Sequence, residues 1–258
     1  IFINASNCHQ GGGKTLLDAF ISGIDNPIYN YIFFIDKRYI PPKNKMVKLQ
    51  FKVVSIWERV FVSFRIIKIV KINDIIIYFG NLPPLLKFYN NKVILLLSNR
   101  FYVDSISFKG FIFREMIKIK LEKLYFNLFK SNVNEFIVQT NTMKNLLQCS
   151  INNCKEILVL PFENTGFINH LPIIKESNTF IYVASLLPYK NHKALVKAWM
   201  NLSLKGITPK LYLTIDQNNQ ISKWIKEKIC TFNLNIILLE NIERYELMNI
   251  YKKIEYLI

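Results

Sequence analysis

The stretch FIYVASLLPYKNHKALVKAW, Phe180 to Trp199, decides which fold the sequence predicts. An apolar strand ends at Ala184, a short loop with Pro188 follows, and Lys190 stands at the corner where a helix begins. Asn191 is expected to cap this helix. The unpaired N–H groups of a helix start, with a lysine ammonium beside them, suit a nucleotide diphosphate. A lysine in front of a helix is more often a solvated surface residue, so this interpretation needs support from the rest of the chain.

On both sides of this corner, short apolar runs alternate with helical patterns, which predicts parallel sheets covered by helices. The predicted strands are Ile1–Asn4, Tyr31–Ile35, Lys48–Ile56, Ile75–Phe79, Val93–Leu97, Glu135–Val138, Glu156–Leu160, Thr179–Ala184, Lys210–Ile215, Asn235–Leu239 and one that opens at Glu255. The predicted helices are Lys14–Ile24, Glu58–Lys71, Ser105–Lys130, Thr142–Ser150, His192–Leu204, Asn219–Phe232 and Arg244–Lys253. The prolines, glycine and polar residues of 161–177 indicate a linker. We therefore expect two Rossmann-like α/β domains, residues 1–165 and 166–258, the second incomplete.

The composition favours anionic partners. Lys and Arg total 34 against 18 Asp and Glu, a net charge of +16, which suits nucleic acid, an acidic membrane surface or a phosphorylated ligand, although scattered surface lysines give the same total. No recognisable nucleic-acid module is present, and no apolar run has the length of a transmembrane helix. Four dispersed cysteines favour free thiols in a cytosolic compartment. The chain lacks an initiator Met and stops within a strand pattern, so we expect a fragment of a longer protein.

The first residues, IFINASNCHQGGGKT, raise a second question of phosphate binding. Aligning Gly13-Lys14-Thr15 with the end of a Walker A loop puts Cys8 where that motif needs its first glycine. Asp36 follows an apolar strand, but such an aspartate is only weak support for a Walker B motif. A P-loop NTPase or kinase is therefore kept as an alternative. Three glycines before a helix still allow a phosphate close to the backbone, and a plain glycine-rich turn is the simpler explanation.

Two stretches of the second half, taken together, carry a family resemblance. They are PYKNH with the following AW, Pro188–His192 and Ala198-Trp199, and PKLYLTID, Pro209–Asp216. They resemble the donor-binding segment of the family-4-like (group 1) glycosyltransferases of the GT-B fold, in the branch that builds O-antigen and capsule polysaccharides. The first half resembles the same family, most weakly over residues 40–75. The stretches that carry this are Gly11–Gly13, Gly80–Pro84, Val93–Arg100, Phe136–Thr140 and Ile157–Pro161.

The resemblance implies a function and a set of site residues. The function is transfer of a sugar, with retention at the anomeric carbon, from a UDP- or GDP-linked donor to a saccharide or polyprenyl-linked acceptor in lipopolysaccharide or O-antigen biosynthesis. No metal, no cofactor besides the donor and no nucleic acid are implied. The residues assigned to the donor diphosphate are Gly11, Gly12, Gly13, Lys190 and Asn191, with Ser185 and Arg100 as additional candidates.

Three departures from the family pattern stand beside this resemblance. Ala184-Ser185 occupy the place where many members have Gly-Arg, so one phosphate-binding cation is missing or comes from elsewhere. No histidine lies near Ser98–Arg100, where many members have one close to the sugar. The family's E-x7-E region would follow Ile258, which leaves the activity of this fragment open.

The segment Ser105–Lys130 mixes aromatic and basic residues in a way that fits two different environments. An amphipathic helix of this composition binds anionic bilayers, and an enzyme with a polyprenyl-linked acceptor needs that surface. The alternative is an ordinary helix whose apolar side packs into the core. Trp57–Lys71 shows the same ambiguity. We therefore expect a cytoplasmic protein that is either free or peripheral at the inner face of the plasma membrane, and a membrane-binding module without catalysis is the third interpretation.

Overall fold

The computed structural model describes residues 1–9, 11–45, 47–105, 107–151, 155–161, 174–216 and 220–258. The chain divides into two compact units, the first made of Ile1–Ser107 and Phe113–Phe167, the second of Phe108–Ile112 and Ile168–Ile258. The predicted domain boundary between residues 165 and 166, and most of the predicted linker, lie outside the described residues. The boundary therefore stays a prediction.

The first unit contains a seven-stranded parallel sheet in the order β3-β2-β1-β4-β5-β6-β7. The first six positions of this order match those of a doubly wound dinucleotide-binding sheet. Its strands are β1 (Phe2–Ala5), β2 (Tyr31–Asp36), β3 (Val47–Val53), β4 (Ile75–Tyr78), β5 (Lys92–Leu96), β6 (Glu135–Val138) and β7 (Glu156–Val159). Its helices are α1 (Gly11–Ser22), α2 (Ile56–Ile67), α3 (Phe113–Phe129) and α4 (Asn141–Ser150).

Apolar side chains on both faces of this sheet create two separate cores. Phe33 of β2 is buried with Leu17 of α1, whereas the next residue, Phe34, is buried in the other core with Val62 of α2 and Leu147 of α4. Successive residues of a strand point to opposite faces, so one run of apolar residues supplies both cores. Because both faces of the sheet are buried, apolar and polar residues do not alternate along the predicted strands.

The second unit contains a four-stranded parallel sheet in the order β10-β9-β8-β11. Its strands are β8 (Glu176–Tyr182), β9 (Lys210–Ile215), β10 (Ile236–Glu240) and β11 (Ile254–Leu257). Its helices are α5 (His192–Leu204), α6 (Gln220–Phe232) and α7 (Arg244–Lys253). Trp199 is buried in its core, and its indole Nε1 donates to Pro209 O at 2.9 Å. The AW and PKLYLTID stretches are therefore in contact through Trp199 and Pro209, and this contact stabilises the core of the second unit.

Three predicted helix bounds are wrong by three residues or more, and two strand bounds, the end of β3 and the start of β8, are each wrong by three. Helix α1 begins at Gly11 rather than Lys14, so the three glycines form its first turn. Helix α3 covers Phe113–Phe129 rather than Ser105–Lys130, and Gly110 in the preceding turn has a φ of +86°. Helix α2 ends at Ile67 instead of Lys71. Among the described residues no helix combines the length and the hydropathy needed to cross a membrane.

Candidate functional site

The carboxyl edge of each sheet is the place where a doubly wound fold binds ligands. In the first sheet β1 lies between β2 and β4, and the order of the strands reverses between β1 and β4. In the second sheet β8 holds the equivalent place between β9 and β11. Ligands bind outside the carboxyl ends of strands at such reversals. The predicted site residues Gly11–Gly13 and Arg100 belong to the first edge, and Ser185, Lys190 and Asn191 to the second.

Close contacts between the loops after β1 and β4 shape the first edge. The Asn7 amide Nδ2 donates to Gly80 O at 2.7 Å, and a Cβ on Gly80 would lie 1.7 Å from Asn7 Oδ1. Only glycine fits at position 80 without displacing Asn7. The buried Cys8 thiol donates to Phe79 O at 2.9 Å, and burial raises its pKa to about 12. Cys8 therefore joins the two loops as a protonated thiol and is not a nucleophile at neutral pH.

The three glycines start helix α1 beside this joined pair of loops. Gly11 has a φ of +61°, which a side chain resists, and a Cβ on Gly11 or Gly12 would meet no atom within 4 Å. A Cβ on Gly13 would lie 3.6 Å from Cys8 Sγ. The first N–H groups of a helix have no acceptor within it, so this open turn offers donors to an anion. Binding of the donor diphosphate here stays a prediction.

Arg100 follows β5 in a short 3₁₀ turn on the same edge. Asn81 braces this turn, because its Oδ1 accepts from Ser98 N at 2.6 Å and from Asn99 N at 2.9 Å. The Arg100 Nε donates to Asp104 Oδ2 at 2.5 Å, and this hydrogen bond lowers the pKa of the Asp104 carboxyl. The Arg100 side chain is exposed and already pairs with a carboxylate. Its role at a phosphate stays a prediction.

A charged cluster that sequence reasoning missed lies at the end of β2. The buried Asp36 carboxylate accepts from Arg38 Nε and Arg38 Nη2, both at 2.9 Å, and from Arg59 Nη2 at 2.5 Å. Hydrogen bonds from Arg38 hold the pKa of Asp36 well below its usual range, against the effect of burial. The His9 Nδ1 lies 3.3 Å from Arg38 Nη2. The only signal in the sequence is an Asp that ends an apolar strand, which by itself suggested just a weak Walker B motif.

In the second unit, the loop after β8 reaches α5 through a 3₁₀ turn, Pro188–Lys190. Lys190 is exposed, and its Nζ lies 5.1 Å from the centroid of the Tyr189 ring. Asn191 has a φ of +53° and its side chain makes no capping hydrogen bond, so the predicted side-chain cap is wrong. A left-handed residue cannot hold the extended backbone from which a cap side chain reaches the helix. The N–H groups before the first helical hydrogen bond, which Ala194 donates to Asn191 O, stay available.

Two neighbours hold this loop, and a buried histidine lies behind it. The Thr214 hydroxyl accepts from Ala184 N at 3.0 Å and lies 3.1 Å from Ala184 O, while the Tyr182 hydroxyl donates to Lys190 O at 2.7 Å. His192 is 2% exposed, and its ring nitrogens make no hydrogen bond of good geometry among the described residues, the Ala184 backbone being a polar neighbour of the ring. Burial lowers the pKa of His192, so the ring is neutral at physiological pH. Ser185 is exposed next to this loop.

No metal centre is evident in the part of the chain that the structure describes. No three His, Cys, Asp or Glu side chains there are grouped so as to hold a metal ion. Cys8, Cys149 and Cys230 are free thiols. The lysine, arginine and backbone N–H groups at the two edges are donors that suit an anion.

Comparison with known proteins adds the identity of the fold. No protein-family model and no curated protein sequence matches the chain. Among solved structures it is similar to the apo form of the lipopolysaccharide outer core galactosyltransferase WaaB, with 13% identity, a TM-score of 0.57 and coverage of 99% of this chain and 72% of that one. It is also similar to a glycosyltransferase from Rickettsia africae ESF-5, with 14% identity, a TM-score of 0.57 and coverage of 99% and 71%. These likenesses and the two parallel sheets show that the chain has the GT-B fold.

Proposed function

We propose that the chain is a glycosyltransferase that moves a sugar from a nucleotide-diphosphate donor to a polysaccharide or lipid-linked acceptor. The observation that carries this proposal is the corner after β8, where exposed Lys190 and the start of α5 lie at the carboxyl edge of a parallel sheet. The GT-B fold supports it, because the two solved structures named above, to which the chain is similar, are glycosyltransferases. A UDP- or GDP-linked hexose is the donor we expect.

The chemistry of the corner fits the charge that this reaction develops. When the bond to the anomeric carbon breaks, negative charge builds on the leaving diphosphate, and fixed cations and N–H donors lower the barrier. Lys190 provides a cation, and the N–H groups of His192 and Lys193 precede the first hydrogen bond of α5. Retention of configuration is part of the proposal through the family resemblance. The P-loop alternative loses support because a buried side chain, Cys8, stands where its first glycine belongs.

Nucleotide binding tests the proposal. UDP or GDP should protect the protein from thermal unfolding without Mg²⁺, and ATP with Mg²⁺ should not. Lys190→Ala should weaken UDP or GDP binding about tenfold in calorimetry, because a charge-assisted contact to phosphate is lost. Lys197→Ala removes an exposed lysine farther along α5 and should leave the affinity unchanged. Protection by ATP with Mg²⁺ alone would contradict the transferase and favour the NTPase.

A membrane partner is the second part of the proposal. Helix α3 carries one row of apolar side chains, each between 39 and 68% exposed: Phe113, Ile117, Leu121, Leu124 and Leu128. Phe126 is its buried residue among those described, and four more apolar residues are half-buried, so the interpretation as a core-packed helix does not account for the other half of its apolar residues. Arg114 and Lys118 lie beside the row, and this combination fits an anionic bilayer at the inner face of the plasma membrane.

Vesicle flotation tests the membrane partner. The full chain should float with vesicles containing anionic phospholipid and not with neutral ones. The double variant Leu121→Gln and Leu128→Gln should lose most of this binding. A matched double variant in the second unit, Leu204→Gln and Ile207→Gln, removes two other exposed apolar residues and should retain it. Equal binding of both variants would exclude α3 as the docking surface.

A further inference from the structure

The cluster at the end of β2 carries more positive charge than its own carboxylate neutralises. Asp36 is the single acidic partner of both Arg38 and Arg59 in the described structure, which leaves one positive charge in excess. The Arg59 Nε is buried and finds no hydrogen-bond partner among the described residues. Excess charge of this kind has to be balanced by solvent or by a bound anion.

The acidic residues on the two neighbouring helices do not supply that balance. Asp18 of α1 pairs with Lys14 at 2.7 Å and accepts from the Tyr39 hydroxyl at 2.7 Å. Glu58 of α2 pairs with Arg65 at 3.1 Å and accepts backbone N–H groups at the start of its helix. Each carboxylate is thus engaged away from the cluster, and the guanidinium groups keep their excess charge.

Position and exposure make the cluster accessible to a ligand at the expected edge. Asp36 ends β2, the strand beside β1, so the cluster lies at the carboxyl edge of the sheet. The side chains of Arg38, Arg59 and His9 are 51, 27 and 18% exposed, whereas the carboxylate beneath them is 1% exposed. The buried carboxylate holds both guanidinium groups on their protein side, and part of each arginine side chain is exposed to solvent. Fixed planar forks of N–H donors match the oxygens of a phosphate.

We propose that Arg38, Arg59 and His9, held by Asp36, form a binding site for a phosphate group. The site deepens the proposed function, and only the source of the phosphate rests on it: the diphosphate of the sugar donor or a phosphate of the acceptor. His9 lies two residues before Gly11, where the open first turn of α1 adds N–H donors close to the cluster. The positive end of that helix favours the same ligand.

Calorimetric titration with inorganic pyrophosphate at low ionic strength tests the site. The titration uses the full chain with Lys190→Ala, which removes the predicted phosphate-binding cation of the second unit. Adding Arg38→Gln should weaken pyrophosphate binding about tenfold, and Arg38→Lys should weaken it less because the charge remains. The matched control is Arg65→Gln, a comparably exposed arginine on α2, which should change nothing. Thermal unfolding of each variant shows that it is folded.

Titration with UDP separates the two sources. If Arg38→Gln in the otherwise unchanged chain weakens UDP binding as well, the site receives the donor diphosphate. If UDP binds as before while pyrophosphate binding is weakened, the site receives a phosphate of the acceptor. Pyrophosphate binding that is absent, or that responds equally to Arg38→Gln and Arg65→Gln, would overturn the site. Failure of UDP and GDP to bind, with pyrophosphate binding retained, would instead reject the proposed donor and leave the site standing.

Discussion

The two strand-to-helix corners, after β1 and after β8, hold the same place in similar sheets but are built differently. The first is fixed by polar contacts inside the protein, Asn7 to Gly80 and Cys8 to Phe79, and beside it on the same edge Asp36 at the end of β2 holds its two arginines. In the second, Thr214 and Tyr182 brace the loop from behind, while the charged Lys190 pairs with no carboxylate in the described part of the chain.

This difference determines how many polar groups at each corner are free to bind a ligand. A group that is already paired inside the protein must lose that pairing, or share it, when a ligand arrives. At the first corner many polar groups are already paired inside the protein, and the outer N–H groups of the arginines and the first N–H groups of α1 are left for a ligand. The second keeps its ammonium unpaired at the surface. Substitutions at the first corner should therefore affect stability most, and the effects should become smaller toward the second.

The largest effect is expected from Asp36→Asn, which leaves two arginines without their carboxylate. Breaking a buried ion pair from one side should cost about 3 kcal/mol of unfolding free energy, measured by urea denaturation at pH 7. The pKa of Asp36 is held below its usual range by hydrogen bonds from Arg38, so its contribution is present above about pH 4 and is lost as the pH falls further. Asp25→Asn, at an exposed site, should change stability little. Equal stability of the two variants would show that the cluster does not hold the first corner.

A smaller loss is expected from Gly80→Ala, because the new Cβ would lie 1.7 Å from Asn7 Oδ1. Displacing a packed neighbour typically costs about 2 kcal/mol. Adding Asn7→Ala removes the clashing side chain, so a double-mutant cycle should recover part of the loss. Gly12→Ala is the matched control: a Cβ there meets open space and alanine favours a helix, so stability should stay the same or rise. Equal stability of the Gly80→Ala and Gly12→Ala variants would show that Asn7 does not pack against Gly80.

The sequence predicts the fold well because apolar periodicity and chain order are local signals. Each strand in the described part of the chain was predicted to within three residues, and the GT-B resemblance of the Pro188–His192 region was confirmed for the fold. One bound failed because of glycine: Gly11 has the turn conformation yet begins a helix. The cluster around Asp36 could not be predicted, because it joins side chains that are 23 residues apart in the chain. Pairing at that distance is set by the register of the sheet and the packing of α2, which no local pattern encodes.

At the second corner, Thr214→Val should cost about 1 kcal/mol. Valine keeps the shape of threonine but loses both contacts to Ala184, at 3.0 and 3.1 Å, and a net hydrogen bond contributes about this much. Hydrogen exchange should become faster in the second unit alone. Thr208→Val changes an exposed threonine whose backbone carbonyl, not its hydroxyl, accepts from Asn235, and should have little effect. A loss as large as that of Asp36→Asn would mean that the two corners are fixed equally firmly.

The smallest effect should come from the charge state of His192, and it should be confined to acid pH. Burial lowers the pKa of His192 in the folded chain, so below the ordinary histidine pKa of about 6.5 the unfolded chain binds a proton that the folded chain refuses. Folding stability must then fall as the pH drops through that range and recover above it.

His192→Leu should remove this part of the pH dependence, since leucine binds no proton in either state. Its stability relative to the wild type should therefore improve steadily from pH 7 to pH 5 and stay constant above pH 7, in urea denaturation at each pH. Lys193→Gln, the exposed neighbour, should keep the wild-type pH profile. A parallel profile for His192→Leu and the wild type would mean that the imidazole takes up its proton without penalty. The second corner would then contain a group that stabilises the protonated ring. Lys190 would be left as the unpaired group, among the described residues, by which the second corner differs from the first.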